Sequence, residues 1–108
     1  MLRRGDIIIA SEKGPYAGKP RPWLVLQNSA FLDRPSSITV CMITSDALPS
    51  AFRIAVMPDD RNNLRDASIV LLDKILTIRD VAVDTVIGSL DDGTMTRVDD
   101  AARLWLNL

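Results

Sequence analysis

The sequence predicts a mainly β fold: an antiparallel sheet or small barrel followed by one C-terminal α-helix. Three observations carry this. Short apolar runs rich in β-branched residues recur between turn-rich breaks. No strand–helix–strand alternation of the kind a parallel sheet needs is present. Helical periodicity is confined to the segment from Asp92 onward.

Taken in order, GDIIIA (5–10) is a short apolar run and reads as a strand. Residues 11–22, SEKGPYAGKPRP, carry two Gly and three Pro and form a loop. WLVLQN (23–28) is a second strand, broken by LDRPSS (32–37). SITVCMITS (37–45) is a third strand, apolar on both faces, and DALPS (46–50) ends it. AFRIAVMP (51–58) sets Phe52, Ile54 and Val56 on one face, as a half-buried strand should. DDRNNLRD (59–66) is a polar hairpin or loop, ASIVLLDKILTI (67–78) a long strand that bends near Asp73 or Lys74, and DTVIGSL (84–90) a last short strand. From Asp92, the residues Met95, Val98, Ala101, Ala102, Trp105 and Leu108 share one helical face and should pack on the sheet. Asp91 or Asp92 can cap the helix start, because a carboxylate there accepts from orphan N–H groups.

A chain of 108 residues, 47% hydrophobic and 25% charged, has the size and composition of one globular domain, here expected to span 1–108. The net charge of −1 gives no global attraction for nucleic acid, so any RNA site must come from local placement of basic residues. Arg3, Arg4, Lys13, Lys19 and Arg21 outnumber Asp6 and Glu12 in the first 21 residues. The lone Cys41, inside ITVCMIT, excludes an intrachain disulfide and reads as a buried core thiol. The sequence contains no histidine, which removes the commonest general base and the commonest metal ligand together and argues against a zinc site. Chemistry must then use carboxylates, Arg, Lys, hydroxyls or Tyr16. No stretch has the length of a membrane span and the start lacks a signal-peptide core, so a cytoplasmic protein that makes no use of a membrane is expected.

Four segments carry a resemblance: RRGDIII at the start, GKPRPWLVLQN, MITSD, and SIVLLDKILTI followed by IGSLDDGTMTRVDDAARLWLNL. In this order and spacing the chain resembles the MazF/PemK family, the ribonuclease toxins of type II toxin–antitoxin modules, over nearly its whole length. The resemblance implies an SH3-like, CcdB/PemK-like β-barrel with a C-terminal helix, usually a homodimer. It implies metal-independent cleavage of single-stranded RNA at short sequences, with no cofactor. The implied partner is a cognate antitoxin whose acidic, flexible tail blocks the RNA groove; the toxin–antitoxin complex is expected to bind DNA.

Metal-free RNA cleavage needs a base for the 2′-OH proton, a proton for the leaving oxygen and donors for the pentavalent oxyanion. Arg21 ends a Pro-framed loop, and its planar guanidinium fits phosphate oxygens bidentately; its plain alternative is a surface Arg at a strand start. Thr44 lies where ITVCMI exits into a polar loop, so its hydroxyl can face a groove, although β-propensity alone also favours a strand-end Thr. The resemblance puts the family's catalytic Arg and Thr on these two positions. Ser45 could bind the same phosphate, provided the chain turns there. Asp73 follows four apolar residues; some family members have an acid there, proposed as a base, and a structural hydrogen bond is the equal alternative. Lys13 and Lys19 could bind phosphate and Tyr16 could stack a base, or all three could belong to a solvated loop. Phe31 reads chiefly as core, with base stacking as its other role. Tyr16 stands where the family commonly has Glu, and Leu76 where many members have Arg.

Two competing readings stay on the same fold. One is a gyrase-poison-like binding protein that acts through its terminal helix, for which the WLNL ending would serve. The other is a degenerate toxin that binds antitoxin and cuts nothing.

Overall fold

Because side chains alternate along a strand, a sheet built from runs such as DIIIA and SITVCMIT has two apolar faces, and both must be covered. The computed structural model describes residues 1–11, 19–34 and 36–108, which leaves Lys13 and Tyr16 outside the described residues. Six strands form: β1 (Asp6–Ala10), β2 (Arg21–Val25), β3 (Ser37–Thr44), β4 (Arg53–Val56), β5 (Ser68–Arg79) and β6 (Val83–Ser89), followed by α1 (Asp92–Leu106). They make one antiparallel sheet in the order β4-β5-β3-β2-β1-β6.

One face buries Ile8, Trp23, Val25, Val40, Met42 and Leu71. The other buries Ile7, Leu24, Cys41, Ile43, Val70 and Leu72 under Val98 and Ala101 of α1. Adjacent residues thus enter different cores. Cys41 is the buried thiol its sequence context implies, and burial pushes its pKa well above the ordinary thiol value. No helix of the described residues is long and apolar enough to cross a membrane.

The antiparallel sheet with a terminal helix is the one the sequence predicts, but it does not close. Its edge strands β4 and β6 are not hydrogen-bonded neighbours. The loop after β4 lies against β6 instead: Ser89 N donates to Arg61 O (3.0 Å) and Asn63 Nδ2 donates to Ile87 O (2.6 Å). This loop approaches so closely that a Cβ on Gly88 would lie 2.3 Å from Arg61 O. The expected bend in β5 is a bulge. Cys41 pairs with Ile75 while Met42 pairs with Leu71, so residues 72–74 are extra on β5 and the strand turns there.

Three local expectations are corrected. Arg21 and Pro22, assigned by sequence to a loop, begin β2 and pair with Ala10 and Ile9; a Pro lacking its N–H is tolerated at such a strand start. Phe31, read chiefly as core, is 71% exposed, because a 3-10 turn over Ser29–Phe31 sends Leu32 inward in its place. The helix stripe also stops early. Val98 and Ala101 are buried, but Trp105 is 48% and Leu108 85% exposed. Asn107, in the left-handed region at φ 58°, ends α1, and Trp105 rests on the Phe52 ring with centroids 5.0 Å apart. At the other end Asp91 is the cap: its carboxylate accepts from Thr94 N at 2.7 Å, which holds its pKa below the usual value.

Candidate functional site

The register of β2 against β3 brings Arg21 and Thr44 together. Trp23 pairs with Met42, Leu24 with Cys41 and Val25 with Val40. Continued for two more residues, that register sets Arg21 opposite Thr44. Arg21 has the same parity as Trp23 and Val25, and Thr44 the same parity as Met42 and Val40, so both extend the first apolar face beyond its core. They line one open cavity of about 240 Å³, with Ser45, Arg65, Asp66 and Ser68 among the other walls. That space is large enough for several waters, and so for a phosphate group.

Each wall has a local cause. Thr44 pairs with Ile69, so the end of β3 faces the start of β5. The Thr44 hydroxyl accepts from Asp46 N at 3.1 Å, which tightens the turn and leaves its own proton available to a ligand. Because the chain bends at Ser45, this residue reaches the same cavity in place of continuing to the opposite face.

Arg65 and Asp66 arrive on the loop 59–66. Asn62 is 2% exposed and holds that loop: its Oδ1 accepts from Asp59 N (3.1 Å) and Leu64 N (3.0 Å), and its Nδ2 donates to Met57 O (2.9 Å). Asp59 reciprocates, accepting from Arg61 N (2.9 Å) and Asn62 N (2.7 Å). Past this knot, the Ser68 hydroxyl donates to Asp66 O at 2.8 Å. A loop that looks merely solvated in sequence is therefore pinned at both ends.

The other sequence candidates fall elsewhere. Asp73 is not on the cavity wall. It is in the β5 bulge, where Arg53 Nε donates to its Oδ1 (3.1 Å) and Arg53 Nη2 to its Oδ2 (2.7 Å). Those two bonds from Arg53 hold the Asp73 carboxyl below the usual carboxylate range. Lys19 is exposed just before β2 and Phe31 lies beyond the opposite end of that strand; neither lines the cavity. Leu76 packs half-buried against the first core. Sequence reading missed Arg65, Asp66 and Ser68. The signal available was the Asp59-x-x-Asn62 spacing, the pattern of a self-bonded turn able to hold its neighbours.

The sequence profile of the PemK-like, MazF-like toxins of type II toxin–antitoxin systems matches residues 3–106. The chain belongs to the MazF/PemK toxin family. Within this family it is 35% identical over 108 residues to a protein of Mycolicibacterium smegmatis named probable endoribonuclease MazF, covering 99% of this chain and 98% of that relative. The toxin MazF-mt6 of Mycobacterium tuberculosis has a similar fold, with a TM-score of 0.82 at 25% identity, covering 95% of this chain and 97% of that one. An endoribonuclease from a mycobacterial species, solved in complex with its cognate antitoxin, superposes with a TM-score of 0.83 at 19% identity, covering 100% and 97% of the two chains. The MazF-like fold of this chain thus extends over both cores and the helix.

Proposed function

We propose that this chain is a metal-independent endoribonuclease toxin that cleaves single-stranded RNA in the cytoplasm, with Arg21 and Thr44 as its catalytic residues. The observation that carries this is that Arg21 and Thr44 line one cavity where β2 begins and β3 ends. Arg21 binds two oxygens of the scissile phosphate through its parallel N–H groups and stabilises the charge that grows on them. Thr44 donates its hydroxyl proton to one of the same oxygens, and Ser45 can add a second donor. The 2′-oxygen attacks phosphorus, leaving a 2′,3′-cyclic phosphate and a 5′-hydroxyl.

Single-stranded RNA enters with its backbone along Arg21 and Arg65, assisted by Lys19 and by Lys13 and Tyr16, which lie outside the described residues. A cognate antitoxin with an acidic tail would neutralise the toxin by offering carboxylates to the same guanidinium groups. The exposed apolar side chains of Leu104, Leu106 and Leu108 support a homodimer, expected as a doubled mass in light scattering. Membership in the PemK/MazF family favours this reading over a gyrase-binding role for the terminal helix.

The test is to incubate the purified protein with a long RNA in EDTA. Cleavage should persist, and Arg21→Ala should slow it by about 10²–10³-fold, the usual cost of losing a transition-state donor. Intact RNA with the parent protein, or an Arg21→Ala variant that cuts at the parental rate, would overturn the assignment.

A further inference from the structure

RNA cleavage through the 2′-hydroxyl requires a proton acceptor, and Arg21 and Thr44 are donors. With no histidine in the chain, the acceptor must come from the carboxylates or another weak base. Several of the carboxylates are committed to structure. Asp73 is held by Arg53, Asp99 by Arg4 and Asp100 by Arg103, while Asp59 and Asp91 accept from backbone N–H groups. Asp66 differs. Among the described residues, it is the carboxylate on the wall that also contains Arg21 and Thr44.

Its placement is prepared by the fold. The Ser68 hydroxyl fixes the Asp66 carbonyl, and the Asp59–Asn62 knot fixes the loop that precedes it. Asp66 is exposed and lines the cavity, so a proton taken up by its carboxylate can leave to solvent. Its charge is also of the wrong sign for binding alone. An acid beside a phosphodiester opposes association, and Arg21 and Arg65 must outweigh it. A carboxylate in a phosphate cleft is explained if it handles a proton.

We propose that Asp66 is the general base of the cleavage reaction, an inference that rests on the ribonuclease reading above. An Asp66 carboxylate oxygen takes the proton of the 2′-hydroxyl as the O2′–P bond forms. The P–O5′ bond breaks, and the departing 5′-oxygen takes a proton from a water in the open cavity. Asp66 then returns its proton to solvent, neutralising the hydroxide left behind. The net transfer is one proton from the 2′- to the 5′-oxygen.

The experiment measures single-turnover cleavage of a long RNA in EDTA by the parent, Arg21→Ala, Asp66→Asn and Asp66→Glu proteins, with thermal melts to verify folding. Binding is measured separately on the same RNA carrying 2′-O-methyl groups, which cannot react. Asp66→Asn should cut about 10²-fold or more slowly, the usual contribution of a general base, while binding the methylated RNA as tightly as the parent or more so. Asp66→Glu, which keeps the carboxylate, should recover part of the rate. If the carboxylate merely repels substrate, Asp66→Asn will bind more tightly and cut at least as fast, and the proposal falls. Should Arg21→Ala be inactive while Asp66→Asn cuts at the parental rate, the ribonuclease reading stands and the base assignment fails. A parent protein that leaves RNA intact overturns both.

Discussion

Asp73 and Asp66 both stand near arginines, in opposite settings. Asp73 is in the bulge of β5, its side chain only 10% exposed, with both oxygens bonded to the Arg53 guanidinium. Asp66 is on a loop, exposed, on a cavity wall shared with Arg21 and Arg65. In sequence the first acid is conspicuous and the second is not, because a charge after four apolar residues attracts notice and a charge in DDRNNLRD does not. The fold reverses the ranking. Burial forces a charge to find a partner, and a carboxylate with both oxygens engaged has little left to offer a substrate. Exposure at a pinned loop leaves the chemistry open.

The largest expected effect comes from removing the support of one region alone. Gly88→Ala drives a Cβ into the Arg61 carbonyl, with backbone on both sides, so the loop that delivers Asp66 must lift from β6. We expect a loss of about 3 kcal/mol from this overpacking, read as a fall in Tm of roughly 13 °C. The Arg53–Asp73 pair, on the far side of the sheet order, should persist. An unchanged melting curve would show that the loop does not depend on this contact.

A smaller effect isolates the donor side of the cavity. Thr44→Val keeps the shape and removes the hydroxyl. Cleavage should slow by about 10²-fold, equivalent to about 2.7 kcal/mol of transition-state stabilisation. Stability should fall by no more than about 1 kcal/mol for the lost bond from Asp46 N. Parental single-turnover rates in the folded variant would remove Thr44 from the chemistry.

The smallest effect belongs to the closed pair. Asp73→Asn should cost about 1 kcal/mol at neutral pH, since Arg53 remains partly solvated, and should leave the cleavage rate of the folded protein at the parental level. The pH dependence has a definite sign. Arg53 lowers the folded-state pKa of Asp73, so the stabilisation is complete above the unfolded value of about 3.9 and is lost as pH falls through the folded value. The stability gap between parent and variant, measured by urea unfolding, should therefore be widest near neutrality and close in acid. A gap that widens on acidification would contradict the pair, and a folded variant that cuts slowly would return Asp73 to the site.

Much of the architecture was legible because it is written in local patterns. Runs such as DIIIA and SITVCMIT announce strands, the stripe from Met95 to Ala101 announces a helix on the sheet, and Asp91 announces its cap. The pattern overreached at Trp105 and Leu108, since periodicity cannot tell where the sheet beneath a helix ends. It misjudged Phe31 because a 3-10 turn rotates its side chain outward. Closure of the sheet was likewise beyond it: strands signal that they pair, but the loop lying along β6 is held by backbone and Asn63 contacts that leave no apolar signature.

By itself, then, the amino-acid order determined the elements and the two-faced core, because spacing along a strand dictates which side chains share a face; the pairing of Arg21 with Thr44 as candidates came from the resemblance to the MazF/PemK family. Only the tertiary structure decided what stands around that pair. Register across β2 and β3 set Arg21 against Thr44, and a loop knotted by Asp59 and Asn62 brought Asp66 to them. The Asp59–Asn62 knot is local, but Arg21, Thr44 and Asp66 are more than 20 positions from one another, so their meeting depends on how strands and loops pack in space, which no local pattern of residue types encodes.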